Sequence, residues 1–322
     1  MKLARSLPVL VLVFGLVLAC GDSTAQGYPN RPVKLVVGYQ PGGGTDAIAR
    51  IVAQRLAERL GQQVVIENRP GANATIGVAY VAKAEPDGYT LLVGASGEMV
   101  YAPGLYERLP YDTARDFAPV IQLSTNPLLF AVHPSVPVTS IKELIALAKS
   151  KPGELFYGAG AAPFQAAGEL FKKQAGVNIV HVPYKGAAPS VTAAVAGEVQ
   201  VVVVGVSSLP LLRSGKLRGL AVTTPNRFSQ LPDIPTMSEA GLPGFEVVPW
   251  TGMFAPVGTP RAIVDRLNSE MLAVVKLDDV KERFSALGVS PEGLPLPEFN
   301  ALIRADLGKW PKVLRDFNIR AD

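Results

Sequence analysis

Cysteine is almost absent from this chain, and charge is scarce. One cysteine, Cys20, and two histidines, His133 and His181, occur among 322 residues. A lone thiol excludes a disulfide framework within the chain and a multi-cysteine zinc site. Two histidines are too few for a histidine-rich metal centre, so no metal or cofactor is expected. Charged side chains make up 18% of the chain, below the roughly 25% of an average globular protein. The 31 basic and 27 acidic residues leave +4 with no basic run, which argues against nucleic-acid binding. Internal repeats, low-complexity linkers and charge blocks are also missing. Together these absences exclude disordered, acidic and collagen-like classes. What is present is apolar, with 48% hydrophobic residues and a mean hydropathy of +0.25. At ~150 residues per domain, the length allows roughly two domains with well-buried cores.

Part of that hydrophobicity lies at the N-terminus. Lys2 and Arg5 precede an apolar run from Leu7 to Ala19. The run is too short to span a bilayer and reads as a secretion signal over residues 1–25. Two cleavage sites compete. Val17-Leu18-Ala19-Cys20-Gly21 resembles a lipobox, in which Cys20 would be acylated, although Val17 and Leu18 depart from the usual residues. Ser23-Thr24-Ala25 is a small-x-small signal ahead of Gln26. Loss of Lys2 and Arg5 lowers the net charge of +4 by two, so steering by global charge is weak. The most apolar later run, Val199 to Val206, is broken by Gln200 and Gly205 and reads as a buried strand.

The body alternates strand and helix. Val33 to Val37 predicts a strand, and Asp46 to Leu60 a helix with Ile48, Ile51, Val52, Leu56 and Leu60 on one face. Strands are expected at Gln63–Glu67 and Thr90–Val93, with a helix opening at Gly71–Ala74 between them. A second unit begins near Asn126. It carries strands at 128–132, 155–157, 179–182 and 199–204, and helices at 140–149, 165–174 and 187–196. After a strand at 220–223 comes a proline-rich connection, then a strand at 250–255 and a helix at 260–275. The β-loop-α rhythm predicts parallel sheets covered on both faces, whose strands read as continuous apolar runs.

In open α/β sheets ligands sit beyond the carboxyl ends of the strands, so the loops there are the candidates. Gly38-Tyr39-Gln40-Pro41-Gly42-Gly43-Gly44-Thr45-Asp46 offers backbone N–H groups at a helix start, which favour an anion. A flexible turn explains it equally well. It is no P-loop, because no Gly-Lys-Ser/Thr follows. Gly71-Ala72-Asn73-Ala74-Thr75 and Gly158-Ala159-Gly160-Ala161-Ala162-Pro163 are similar openings; the latter fails the dinucleotide fingerprint at Pro163. Ser96 is a further donor or a turn residue. Catalysis is not expected. Gly94-Ala95-Ser96-Gly97-Glu98 is one residue off a nucleophile elbow, and neither histidine has an evident partner. His133, before a proline, reads as structural, and His181 as a partly buried strand residue or a site group. Tyr184-Lys185-Gly186 is a binding loop or a plain turn.

Several motifs in order carry a resemblance. Tyr28-Pro29-Asn30-Arg31-Pro32-Val33, Pro41-Gly42-Gly43-Gly44-Thr45-Asp46 and Glu67-Asn68-Arg69-Pro70-Gly71-Ala72 come first. Pro86-Asp87-Gly88-Tyr89-Thr90, Ala167-Gly168-Glu169-Leu170-Phe171 and Val182-Pro183-Tyr184-Lys185-Gly186 follow. Gly215-Lys216-Leu217-Arg218, Leu231-Pro232-Asp233-Ile234-Pro235-Thr236 and the run from Trp250 to Pro260 complete the series. Their joint order, across essentially the whole chain after the signal, resembles the Bug family of extracytoplasmic solute receptors of tripartite tricarboxylate transporters.

The resemblance implies a type II-like periplasmic binding protein, a Venus flytrap of two doubly wound α/β domains joined by two crossing strands. The expected crossings are Val120–Phe130 and Val247–Ala255. Domain 1 would then comprise residues 26–125 and 248–322, and domain 2 residues 126–247. A small carboxylate would be held between them by backbone amides, small hydroxyls and waters. Carried over by position, the first wall is Tyr39, Gln40, Gly42, Gly43, Thr45, Asp46, Asn73, Ala74, Ser96 and Gly97. The second is Ala159, Gly160, Ala161 and Ala162, with Tyr184 and Val203. Many members of the family have Asp near the strand end where Val201 to Gly205 stands, and His where Gln165 stands. Those departures favour an aromatic or aliphatic carboxylate over an amino acid. The implied protein is a periplasmic monomer working with membrane permease subunits, with lipid anchoring through Cys20 as a further expectation. A receptor docking on a signalling partner, or a serine hydrolase built on Ser96, are the competing readings.

Overall fold

The computed structural model describes residues 27–184 and 186–320. The expected secretion signal, Cys20 and Lys185 lie outside the described residues. The first α/β unit opens with β1 (Val33–Val37), α1 (Gly44–Leu60), β2 (Val64–Asn68), α2 (Thr75–Ala82) and β3 (Thr90–Ala95). A π-helical turn (Gly97–Tyr101), α3 (Ala102–Leu105), α4 (Thr113–Asp116) and β4 (Phe117–Thr125) follow. The second unit runs β5 (Leu128–Val132), α5 (Ile141–Ser150), β6 (Phe156–Ala159), α6 (Ala162–Ala175) and β7 (Val180–Pro183). It continues through α7 (Ala187–Ala196), β8 (Val201–Gly205), α8 (Leu209–Arg213) and β9 (Arg218–Val222). The chain then returns through β10 (Trp250–Pro256), α9 (Arg261–Val274), α10 (Asp278–Ala286), β11 (Ser290–Leu294) and α11 (Leu296–Asp316).

Local sequence explains most of these elements. The predicted apolar face of α1 is buried throughout. Gly61 stops the helix at φ 65°, its N–H donating to Ala57 O. α6 starts earlier than its pattern suggested because Pro163 sits in the first turn, where its missing N–H costs nothing. In β8, Val201 and Val203 enter one core with Phe130, Tyr157 and Phe171, while Val202 and Val204 enter another with Leu129 and Ala131. All four are fully buried. Burial on both faces, worth roughly 1.5–3 kcal/mol per side chain, is what the apolar run encodes.

The sheets are mixed rather than all-parallel, which corrects the sequence expectation. The first has order β11-β4-β10-β3-β1-β2 and the second β7-β6-β8-β5-β9. β2, β1 and β3 are parallel, as are β7, β6 and β8. β10 pairs antiparallel with both β3 and β4, and β5 with both β8 and β9. The reversal has a topological cause. β10 enters its sheet from the other unit, so it runs against the strands wound locally by βα turns. The first crossing is also not one strand: Asn126-Pro127 separates β4 from β5, since proline cannot donate to a ladder. The Asn126 N–H instead donates to Pro249 O at 2.7 Å, tying the two crossings together. No helix among the described residues is long and apolar enough to cross a membrane.

Candidate functional site

The loops after β1, β2 and β3 are locked to one another. Gly38 ends β1 where a Cβ would lie 2.6 Å from Ala74 Cβ, and a Cβ on Gly77 would lie 2.8 Å from Gly38 Cα. Only glycine permits that approach. Ala72, Asn73 and Ala74 follow Gly71 with φ of 44°, 49° and 71°. Three successive non-glycine residues in the left-handed region cost about 1–2 kcal/mol each, which packing must offset. The Thr75 hydroxyl donates to Ala72 O, and Asn73 Nδ2 to the Tyr106 hydroxyl at 2.9 Å.

The glycine-rich loop is braced from beneath by Asp46. Its carboxylate, 1% exposed, accepts from Gly42 N, Arg50 Nε and Asn68 Nδ2 at 2.8–2.9 Å. Burial alone would raise its pKa, but the hydrogen bonds from Arg50, Gly42 and Asn68 outweigh it and hold the group at about 2. Asp46 therefore shapes the loop, and the Gly42 N–H is already engaged. Gln40, Gly42 and Gly43 are exposed and Thr45 is half-buried. α1 opens at Gly43 without a side-chain cap, so N–H groups of its first turn face the loop.

Ser96 and Gly97 end β3. The Ser96 hydroxyl is buried and accepts from Trp250 N at 3.3 Å, which fastens β3 to the incoming β10. A Cβ on Gly97 would lie 3.5 Å from Tyr39 Oη, so the Tyr39 hydroxyl sits directly beside Gly97. That hydroxyl donates to Glu98 Oε2 at 2.6 Å. Glu98 is 1% exposed, and burial pushes its carboxyl up to about 7 against the hydrogen bonds from Tyr39 and the Ala95 N–H.

The second unit supplies a matching edge. A Cβ on Gly160 would fall 1.8 Å from Gly186 O, so the loops opening α6 and α7 touch through backbone. Both helices start without side-chain caps, at Ala161 and at Gly186. Ala159 is buried, Gly160 and Ala162 half-buried and Ala161 exposed. α6 packs against the π-helical turn Gly97–Tyr101, so the two units meet on the element that follows Ser96.

One residue in the sequence reading, Val203, lies elsewhere. Val203 is fully buried in the sheet core, because side chains of a central strand point into the flanking layers. The Tyr184 ring packs with the α7-side cluster, its edge over Gly158, while its N–H donates to Ala159 O. Glu98, Asn68 and Gly77 were missed as support for the site, and Gly38 and Gly186 were read as members of candidate loops rather than as their tight backbone contacts. An acid inside the apolar stretch Glu98 to Ala102 was the available signal. His133 Nδ1 bonds the Ser135 hydroxyl at 2.7 Å, and the His181 ring stacks at a tilt on Tyr157. Among the described residues no group of three His, Cys, Asp or Glu could hold a metal ion.

A separate cavity of about 580 Å³ lies beyond β10, toward the β4–β11 edge of the first sheet. Thr224 to Ser229, Trp250, Glu292, Asp306 and Trp310 are among its walls.

Known proteins share this architecture over nearly the whole chain. Protein BugT of Bordetella pertussis is 34% identical over 323 residues, covering 98% of each chain. The Rhodopseudomonas palustris protein Rpa4515, solved with adipate, is 40% identical with a TM-score of 0.79, covering 89% of this chain and 97% of its own. MatC of the same organism, solved with bound malate, is 34% identical with a TM-score of 0.75, covering 89% and 100%. Residues 48–319 match the tripartite tricarboxylate transporter family receptor, TctC. With its two-domain α/β binding-protein fold, the chain belongs to that family, the Bug receptors of tripartite tricarboxylate transporters.

Proposed function

We propose that the chain is an exported, monomeric receptor that captures a small organic carboxylate and delivers it to membrane permease subunits. One observation carries the reading: the helix starts of α1 and α6 have no side-chain cap, α6 packs on the turn that follows β3, and no side-chain cation stands at either start among the described residues. Such helix starts suit an anion whose charge must be matched locally, since the global charge is small. Domain 1 is residues 26–125 with 248–322, and domain 2 is 126–247. Tyr39, Gln40, Gly43, Thr45, Asn73 and Ser96–Gly97 form one wall and Ala159 to Ala162 the other, with Asp46 positioning the first loop.

Adipate in the 40% identical Rpa4515 supports an aliphatic dicarboxylate as the first candidate, ahead of an amino acid. A melting screen against adipate, malate, benzoate and glutamate tests this. A carboxylate at ~100 times its Kd stabilises the native state by about 2.7 kcal/mol and raises the melting temperature. No shift with any carboxylate would sink the receptor reading, and glutamate outperforming the others would overturn the ligand class. The mass of the exported protein decides between acylated Cys20 and cleavage after Ala25.

A further inference from the structure

Glu98 is a buried carboxyl with no cation to match it among the described residues. It follows Ser96 and Gly97 directly, is 1% exposed, and makes no ion pair among the described residues. The groups that face it come from three segments, and all are neutral near pH 7. Tyr39, of the β1–α1 loop, donates to Oε2 at 2.6 Å; the Ala95 N–H of β3 donates to Oε1 at 2.6 Å. Tyr111, ahead of α4, donates to the Glu98 carbonyl at 2.6 Å, and Tyr106 lies near both tyrosines.

The Tyr39–Glu98 contact can run in either direction. When Glu98 is ionised it only accepts, so the Tyr39 hydrogen is committed inward and the phenol offers lone pairs to the opening. An anion there meets those lone pairs and a buried negative charge. When Glu98 is protonated, its O–H donates to Tyr39 Oη. The phenol hydrogen is then free to turn outward, beside Gly97.

We propose that Glu98 takes up one proton as a carboxylate binds, reversing its hydrogen bond to Tyr39 so that the phenol becomes a donor to the bound anion. The proton comes from solvent and stays on Glu98 while the anion is bound; no covalent bond changes beyond that O–H. Burial keeps the protonation equilibrium within reach of neutral pH, near about 7. This rests on the carboxylate-receptor reading of the same loops.

The test is calorimetry with adipate and malate in buffers of differing ionisation enthalpy, between about pH 5.5 and about pH 8.5. Both probes are fully ionised over the upper part of that range. The wild type should absorb a growing fraction of one proton as pH rises through about 7, with affinity falling toward tenfold per pH unit above it. Glu98→Gln, neutral at every pH, should bind without that proton and with a flat profile. Tyr39→Phe should weaken binding about tenfold at low pH, where the phenol is a donor, and less at high pH. Binding by the wild type with no proton uptake near pH 8 overturns this proposal and leaves the receptor reading intact. So does a Glu98→Gln profile that tracks the wild type. If Glu98→Gln does not fold, the wild-type proton count decides alone. Absence of any heat or melting shift with either probe at every pH instead removes the receptor reading and this proposal with it.

Discussion

Asp46 and Glu98 are buried acids beside one opening, and their neighbours drive them in opposite directions. Asp46 has Arg50, Asn68 and the Gly42 N–H, so it stays ionised to about pH 2. A depressed pKa stabilises the fold above the ordinary aspartate value, and the contribution disappears as pH falls from about 4 toward 2. At neutral pH it is on the order of 2 kcal/mol. Asp46→Asn should therefore lose about that much in urea unfolding at pH 7, and the gap from wild type should narrow at pH 3. Glu98 has the reverse sign: its raised pKa leaves the fold less stable as pH climbs from about 4.5 through about 7. Glu98→Gln should gain stability over the wild type as pH rises from 5 to 8, by urea unfolding. Sequence made Asp46 visible as part of a loop but not as its brace, because Asn68 comes 22 residues later. Glu98 stood in plain view after Ser96 and Gly97, yet its Tyr39 partner is 59 residues away, beyond any local pattern.

At the scale of loops and elements, close backbone contact does the positioning. Gly160 meets Gly186 so closely that a single methyl must push the α6 and α7 openings apart. Gly160→Ala should cost about 1–3 kcal/mol and lower carboxylate affinity along with melting temperature. Gly43→Ala is the matched comparison, since its Cβ would meet Gln40 O at an ordinary 3.5 Å. It should melt like the wild type; equal damage from both would show that Gly160 is not a tight contact. Helices and parallel strands were readable here because periodicity and burial are local signals, as in α1 and β8. β11 was not: Ser-Pro-Glu-Gly-Leu has no β-branched residue and carries two breakers. The direction of β10 was equally hidden, because it depends on which unit the chain has just left.

At the scale of the molecule, two sheets are joined by segments tied at Asn126 and Pro249. A ligand shifts such a pair only through contacts it makes better in the closed arrangement. Adipate should therefore lower the radius of gyration in solution X-ray scattering, and an unchanged radius alongside a raised melting temperature would place binding on one wall alone. The alternation of strand and helix announced two such units, while the cavity beyond β10 was invisible because its walls come from five separate stretches of chain. Both tryptophans of the chain line that cavity. Trp250 Nε1 donates to one oxygen of Asp306 at 2.7 Å and Trp310 Nε1 to the other at 3.0 Å, while the Trp250 backbone reaches Ser96. Every indole in the molecule thus shares one carboxylate at the joint between the units, one bond from the site. The protein carries its own optical gauge: when the tryptophans are excited selectively over the nine tyrosines, the emission comes from the joint alone, and a titration with adipate should change it without an attached dye.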